Sequence, residues 1–126
     1  MKILRSKDIE IIAASHEDVS SPGVYKRVIL EKADFIEGRI QMVNWAFLPK
    51  GKSFRSHYHE DMQEVFIIIK GHVRIIVDSK QVELYKGDTA VIPVGSVHVM
   101  ENIGEVDVEY IVIGISKGIG GKTVVV

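Results

Sequence analysis

Short apolar runs, each closed by a turn signal, recur along the chain. Val24–Glu31 gives way to polar residues and Gly38, Arg39–Leu48 is closed by Pro49-Lys50-Gly51, Val65–Ile69 by Lys70-Gly71, and Val73–Val77 by Asp78-Ser79-Lys80. Thr89–Ile92 ends at Pro93-Val94-Gly95, Val97–Met100 at Glu101-Asn102-Ile103-Gly104, and Val106–Ile115 at a glycine-rich stretch. Short strands at regular spacing, with Gly and Pro between them, predict an all-β sandwich or barrel. No apolar period of 3.6 residues persists over about 12 residues, so long amphipathic helices are not expected. Asp8–Ala14 reads as a strand or a short helical turn.

Two of these strands are apolar on both alternating faces. In Val65-Phe66-Ile67-Ile68-Ile69 and in Tyr110-Ile111-Val112-Ile113 neither face is polar, whereas a strand with one face in water normally alternates. One face is expected to fill the barrel. The other needs a cover, because a large exposed apolar patch is unfavourable in water. That cover is either a terminal segment of the chain itself or a second copy, which makes a homodimer one of the two expectations.

Composition agrees with strands, since 18 isoleucines and 18 valines supply stiff β-branched side chains that pack well on a pleated surface. The 126 residues predict one domain over 1–126. Charge is nearly balanced, with 16 basic and 17 acidic residues and no basic stripe, so no nucleic-acid partner is expected. Cysteine is absent, which excludes disulfides and thiolate metal sites. No apolar run approaches the 18 or so residues of a membrane span, and Met1–Glu10 lacks the apolar core of a signal peptide. No membrane partner and a cytoplasmic location are the expectations.

Of the five histidines, His57 and His59 sit two apart, so on a strand they project from one face. Neutral imidazole is a ligand for many transition metals, although such a pair can equally be solvated. Glu64 opens an apolar strand and shares its face with Phe66 and Ile68. If the strand includes it, the carboxylate is buried and needs a cation or donors; if the strand starts at Val65, it faces water. His98 shares a face with Met100 and reads alone as a ligand or as a hydrogen-bonded core histidine.

Spacing decides between these readings. From Gly51 to Gly71 the chain reads G-x5-H-x-H-x4-E-x6-G, and from Gly87 to Asn102 it reads G-x5-P-x-G-x2-H-x3-N. Over 51–71 and 87–102 it resembles the cupin superfamily, specifically the small metal-binding type with one domain. All ten specified positions match, each with a chance of roughly one in twenty from average usage. The resemblance implies a double-stranded β-helix (jelly-roll barrel) with His57, His59, Glu64 and His98 as ligands of one divalent transition metal ion: Mn, Fe, Ni, Cu, Co or Zn. Three nitrogens and one oxygen leave positions open for water or substrate. Gly51, Gly71 and Gly87 are expected at turns, Pro93 and Gly95 at the second and fourth positions of a tight turn, and Asn102 as the cap of the loop after His98.

Parity suggests the neighbours of the metal. Arg55 shares the face of His57 and His59, and is either an anion-binding group at the cavity mouth or a solvated strand end. Phe66, Ile68 and Met100 are expected either to line a pocket or to be plain core, with Trp45 and Phe47 as another wall. His16 and His72 read as surface residues, and Phe54 and Tyr58 as facing away from the ligands toward a dimer partner. Gly114–Gly121 reads as a flexible connection to a last short strand. The expected function is that of a small metalloenzyme acting on a small polar metabolite, either like a sugar-phosphate isomerase or like a dioxygenase. The alternative is a binding or sensing module without turnover.

Overall fold

The computed structural model describes residues 4–35, 39–116, 118 and 122–126. A 3-10 turn at Ser6–Asp8 precedes β1 (Ile12–Ala13), so Asp8–Ala14 holds a short strand and only its first residue belongs to the helical turn. There follow β2 (Tyr25–Glu31), a 3-10 turn at Lys32–Asp34, β3 (Ile40–Leu48), β4 (His57–His59), β5 (Met62–Lys70) and β6 (His72–Val77). The chain continues through β7 (Lys80–Tyr85), β8 (Thr89–Ile92), β9 (His98–Asn102), β10 (Val108–Ser116) and β11 (Thr123–Val125). The strands form two antiparallel sheets, one in the order β1-β2-β3-β10-β5-β8 and the other β11-β4-β9-β6-β7. This is the double-stranded β-helix expected. Among the described residues no helix is long and apolar enough to cross a membrane.

The strand β7 was not anticipated. Only Leu84 on it is buried, so its sequence lacks the apolar alternation that marks the others. Its signal lies in the hairpin instead: Asp78 and Ser79 both have positive φ (47° and 70°), as a two-residue hairpin turn requires.

The core lies between the two sheets. Leu48, Ile68, Val73, Met100 and Val108 are wholly buried. In β5, Met62, Glu64, Phe66 and Ile68 point inward, and in β10 Val108, Tyr110, Val112, Gly114 and Ser116 do so. Register carries this inward row across strands: Lys26 opposes Ala46, which opposes Tyr110, which opposes Ile68. The outer face carries Val65, Ile67, Ile111 and Ile113 half-buried, while Ile69 and Val91 are exposed.

The motif glycines Gly51, Gly71, Gly87 and Gly95 all have positive φ. At Gly71, between β5 and β6, a Cβ would also lie 2.7 Å from Val108 Cγ2 and 3.2 Å from Val108 Cα. Turn conformation and close packing therefore both demand glycine there. The Pro93 turn is shifted by one residue from expectation. Ser96 N–H donates to Pro93 O, so Pro93 is first and Gly95 third, the place where a type II turn needs positive φ. Asn102 caps its loop as expected, its Nδ2 donating to Leu48 O and Val106 O while its Oδ1 accepts from Gly104 N–H. The chain ends in the strand β11, as expected, but Gly114–Ser116 are the last residues of β10 and not part of a connection; residues 117 and 119–121 lie outside the described residues.

Candidate metal centre

Three strands bring the four predicted ligands together. His57 and His59 share the inner face of β4, His98 on β9 lies directly opposite His57, and Glu64 comes from β5 in the other sheet. All four are buried, and one donor atom from each lies within 4.8 Å of the others. Four donors about 2.1 Å from a single ion are at most about 4.2 Å apart, so small side-chain shifts suffice to close the set. Glu64 is on the strand and buried, which removes the solvent-facing alternative.

Each imidazole is held from behind. His57 Nδ1–H donates to Arg55 O (2.6 Å) and His98 Nδ1–H donates to Ser96 O (2.9 Å). These bonds fix the tautomer that presents Nε2 as a lone-pair donor. His59 Nδ1 pairs with Thr123 Oγ1 at 2.9 Å, a hydroxyl able to donate or accept. Glu64 Oε1 lies 2.8 Å from His59 Nε2 and 3.2 Å from His98 Nε2.

The electrostatics suit a cation. Burial alone would raise the Glu64 pKa, but the polar neighbours His59 and His98 outweigh it and bring the carboxyl to about 2. Burial, reinforced by His16, lowers His57 to about 3. At neutral pH the site therefore offers a carboxylate and a neutral imidazole, the protonation states that metal ligation needs.

A cavity of about 220 Å³ opens beside these residues. His57, His59, Glu64 and Phe66 line it, as expected for Phe66. Met100 and Ile68 are wholly buried in the core and are not among the lining residues. Trp45 is not a wall. Register turns Asn44 and Ala46 inward and Trp45 outward, where it stacks on Phe47 and Arg27 lies over both rings, 5.3 Å from the centroid of Trp45 and 5.1 Å from that of Phe47. Arg55 is exposed and absent from the lining; only its backbone serves the site. Parity failed at Arg55 because β4 begins at His57, so residues before it do not follow its alternation.

The same break corrects Phe54. It is buried, lines the cavity, and its ring lies 5.3 Å from that of His57 and 6.0 Å from that of His98. Tyr58 does face away from the ligands, half-buried opposite Val124. His16 is corrected as well. It lines the cavity and stacks on His57 with ring centroids 4.2 Å apart. Its Nδ1–H donates to Glu17 Oε2 (2.8 Å), and Glu17 also accepts from Gly23 N–H and Arg55 N–H. Sequence offered only a histidine beside a carboxylate, in a loop with no spacing tied to either motif. His72 does lie away from the ligands, half-buried and stacked on Tyr85.

Residues 44–114 match the family described as "Cupin domain". An uncharacterised protein of Methanocaldococcus jannaschii is 31% identical over 101 residues, covering 80% of this chain and 69% of that protein. Among solved structures, a predicted oxalate decarboxylase from Thermotoga maritima superposes with a TM-score of 0.80 at 26% identity, covering 91% of this chain and 99% of that one. A cupin-superfamily sugar phosphate isomerase from Silicibacter pomeroyi superposes with a TM-score of 0.73 at 18% identity, covering 98% and 92%; that likeness is one of fold. The chain belongs to the cupin family, and its interior gathers three histidines and one glutamate in a buried group that could hold a metal ion.

Proposed function

We propose that this cupin is a metalloenzyme holding one divalent transition metal ion on His57, His59, Glu64 and His98 and acting on a small polar metabolite. The observation that carries the reading is the four buried donors within 4.8 Å beside a cavity of about 220 Å³. That space equals roughly seven waters at about 30 Å³ each, enough for a small metabolite. The donor set suits Mn, Fe, Co, Ni, Cu or Zn. When bound, such an ion supplies Lewis-acid chemistry, as in an isomerase, or oxygen activation, as in a dioxygenase.

The chain's own groups prepare the site. Carbonyl and hydroxyl partners orient the imidazoles, and Glu64 places one negative charge where water is scarce. Phe54 and Phe66 give the cavity apolar walls. Burial, then Glu64 and Glu17, push the Tyr110 phenol up, so it lines the cavity as a neutral hydrogen-bond donor. With its Nδ1–H donated to Glu17, His16 keeps Nε2 as an acceptor. The predicted oxalate decarboxylase and the sugar phosphate isomerase among the structural relatives support a carboxylate or sugar substrate in general terms.

The test is metal analysis combined with turnover of enolisable sugars and keto acids and with oxygen uptake. Turnover is expected to require metal and to vanish in the His57→Ala, His59→Ala double variant. Metal retained without turnover on any substrate would assign the binding role instead. The apolar outer face of the six-stranded sheet supports a further element of this reading, a homodimer in which a second copy covers it.

A further inference from the structure

Away from the metal ligands, the cavity wall contributed by β2 and β3 contains polar groups with nothing to bind. Asn44 is buried, with 7% of its surface exposed, and it lines the cavity. Its Nδ2 meets only Met42 Sδ, at 3.5 Å, and its Oδ1 has no hydrogen-bond partner. A buried acceptor left unpaired is costly, so the position calls for a donor. Lys26 also lines the cavity, opposite Ala46 on the inward row. It is half-buried, and its ammonium has no hydrogen-bond or ion-pair partner among the described residues. Burial lowers its pKa from the usual value, a shift that a bound anion would oppose.

The two needs differ, and together they describe one ligand. A cation without a partner takes an anion, and an acceptor without a partner takes a hydroxyl or amine. Lys26 opposes Ala46 and Val28 opposes Asn44, so Lys26 and Asn44 are diagonal neighbours on paired strands, about 7–8 Å apart, a separation that a molecule of a few heavy atoms bridges.

We propose that the cavity receives a small hydroxycarboxylic acid, its carboxylate held by the Lys26 ammonium and its hydroxyl donating to Asn44 Oδ1. This takes the place of the anion site that parity put at Arg55. It rests on the metal-site reading only in treating the cavity as the working site, since neither Lys26 nor Asn44 is a metal ligand.

The experiment is calorimetric titration of two acid pairs, malate with succinate and lactate with propionate, into metal-loaded and metal-free protein. Each pair differs by one hydroxyl. Wild-type protein is expected to bind the hydroxy acid about tenfold or more tightly than its partner in both forms. Because hydroxy acids also chelate metals, the variants decide the cause. Asn44→Ala, with Asn44→Leu as a second variant should the first fail to fold, is expected to abolish the preference in metal-free protein. Lys26→Gln is expected to weaken all four acids about tenfold. Metal content should be unchanged in these variants. Equal binding of both members of a pair, or a preference that survives at Asn44→Ala in metal-free protein, overturns the proposal. So does a failure of all four acids to bind protein that retains its metal, and that result leaves the metal site standing. Protein that takes up no metal yet binds the acids as described would sink the metal reading and uphold this one.

Discussion

At the scale of single residues, burial and hydrogen bonding set the protonation of the site before any ion arrives. His57 is brought to about 3 from 6.5, and Glu64 to about 2 from 4.5. Both are depressed in the fold, so below pH 6.5 the unfolded chain binds more protons than the folded one. Stability must then fall with falling pH. His57 contributes this loss from about pH 6.5 down to 3, and Glu64 adds to it from about 4.5 down to 2. The urea midpoint of metal-free protein is expected to drop from pH 7 to 5 and more steeply below 4.5; a flat midpoint between pH 7 and 4 would contradict these protonation states. The ligands themselves were legible in the sequence, because two spaced motifs fix His57, His59, Glu64 and His98 together. Their surroundings were not. Arg55, Phe54 and His16 belong to loops, where strand parity has no hold and long-range contacts decide direction.

Strands and turns show the same division. Apolar runs closed by Gly or Pro gave nearly every buried strand, since burial on one or both faces is what such runs encode. The strand β7 carries no apolar signal because it buries almost nothing, and the sequence does not place Trp45 because alternation says which residues share a face but not which face is inward. Register settles that, through Asn44 and Ala46. The turns are where the glycines of the motifs act. Gly71 combines φ of +96° with a close approach to Val108. Gly71→Ala is therefore expected to destabilise the fold by about 1–3 kcal/mol, read as a lower urea midpoint. Wild-type stability in that variant would mean that the turn relaxes freely and that this glycine is not required.

The whole molecule places one sheet's inner face around a cavity and leaves its outer face apolar. Val65, Ile67, Ile111 and Ile113 lie half-buried there, with Ile69 and Val91 exposed. Sedimentation velocity is expected to give twice the 14.1 kDa chain mass for the wild type and a monomer for Ile111→Lys. A wild-type monomer would contradict the dimer. The fold class was legible because it follows from many short apolar segments at once, whereas the cover of this face depends on a partner surface that no local pattern encodes.

The central claim is that the buried His57, His59, Glu64 and His98 hold a metal. Elemental analysis of protein purified without added metal or chelator, beside Glu64→Ala and His98→Ala, tests it most directly. The account predicts about one Mn, Fe, Co, Ni, Cu or Zn per chain in the wild type and its loss from both variants. No metal in any preparation and no uptake on soaking, or equal metal in the wild type and the variants, would contradict it.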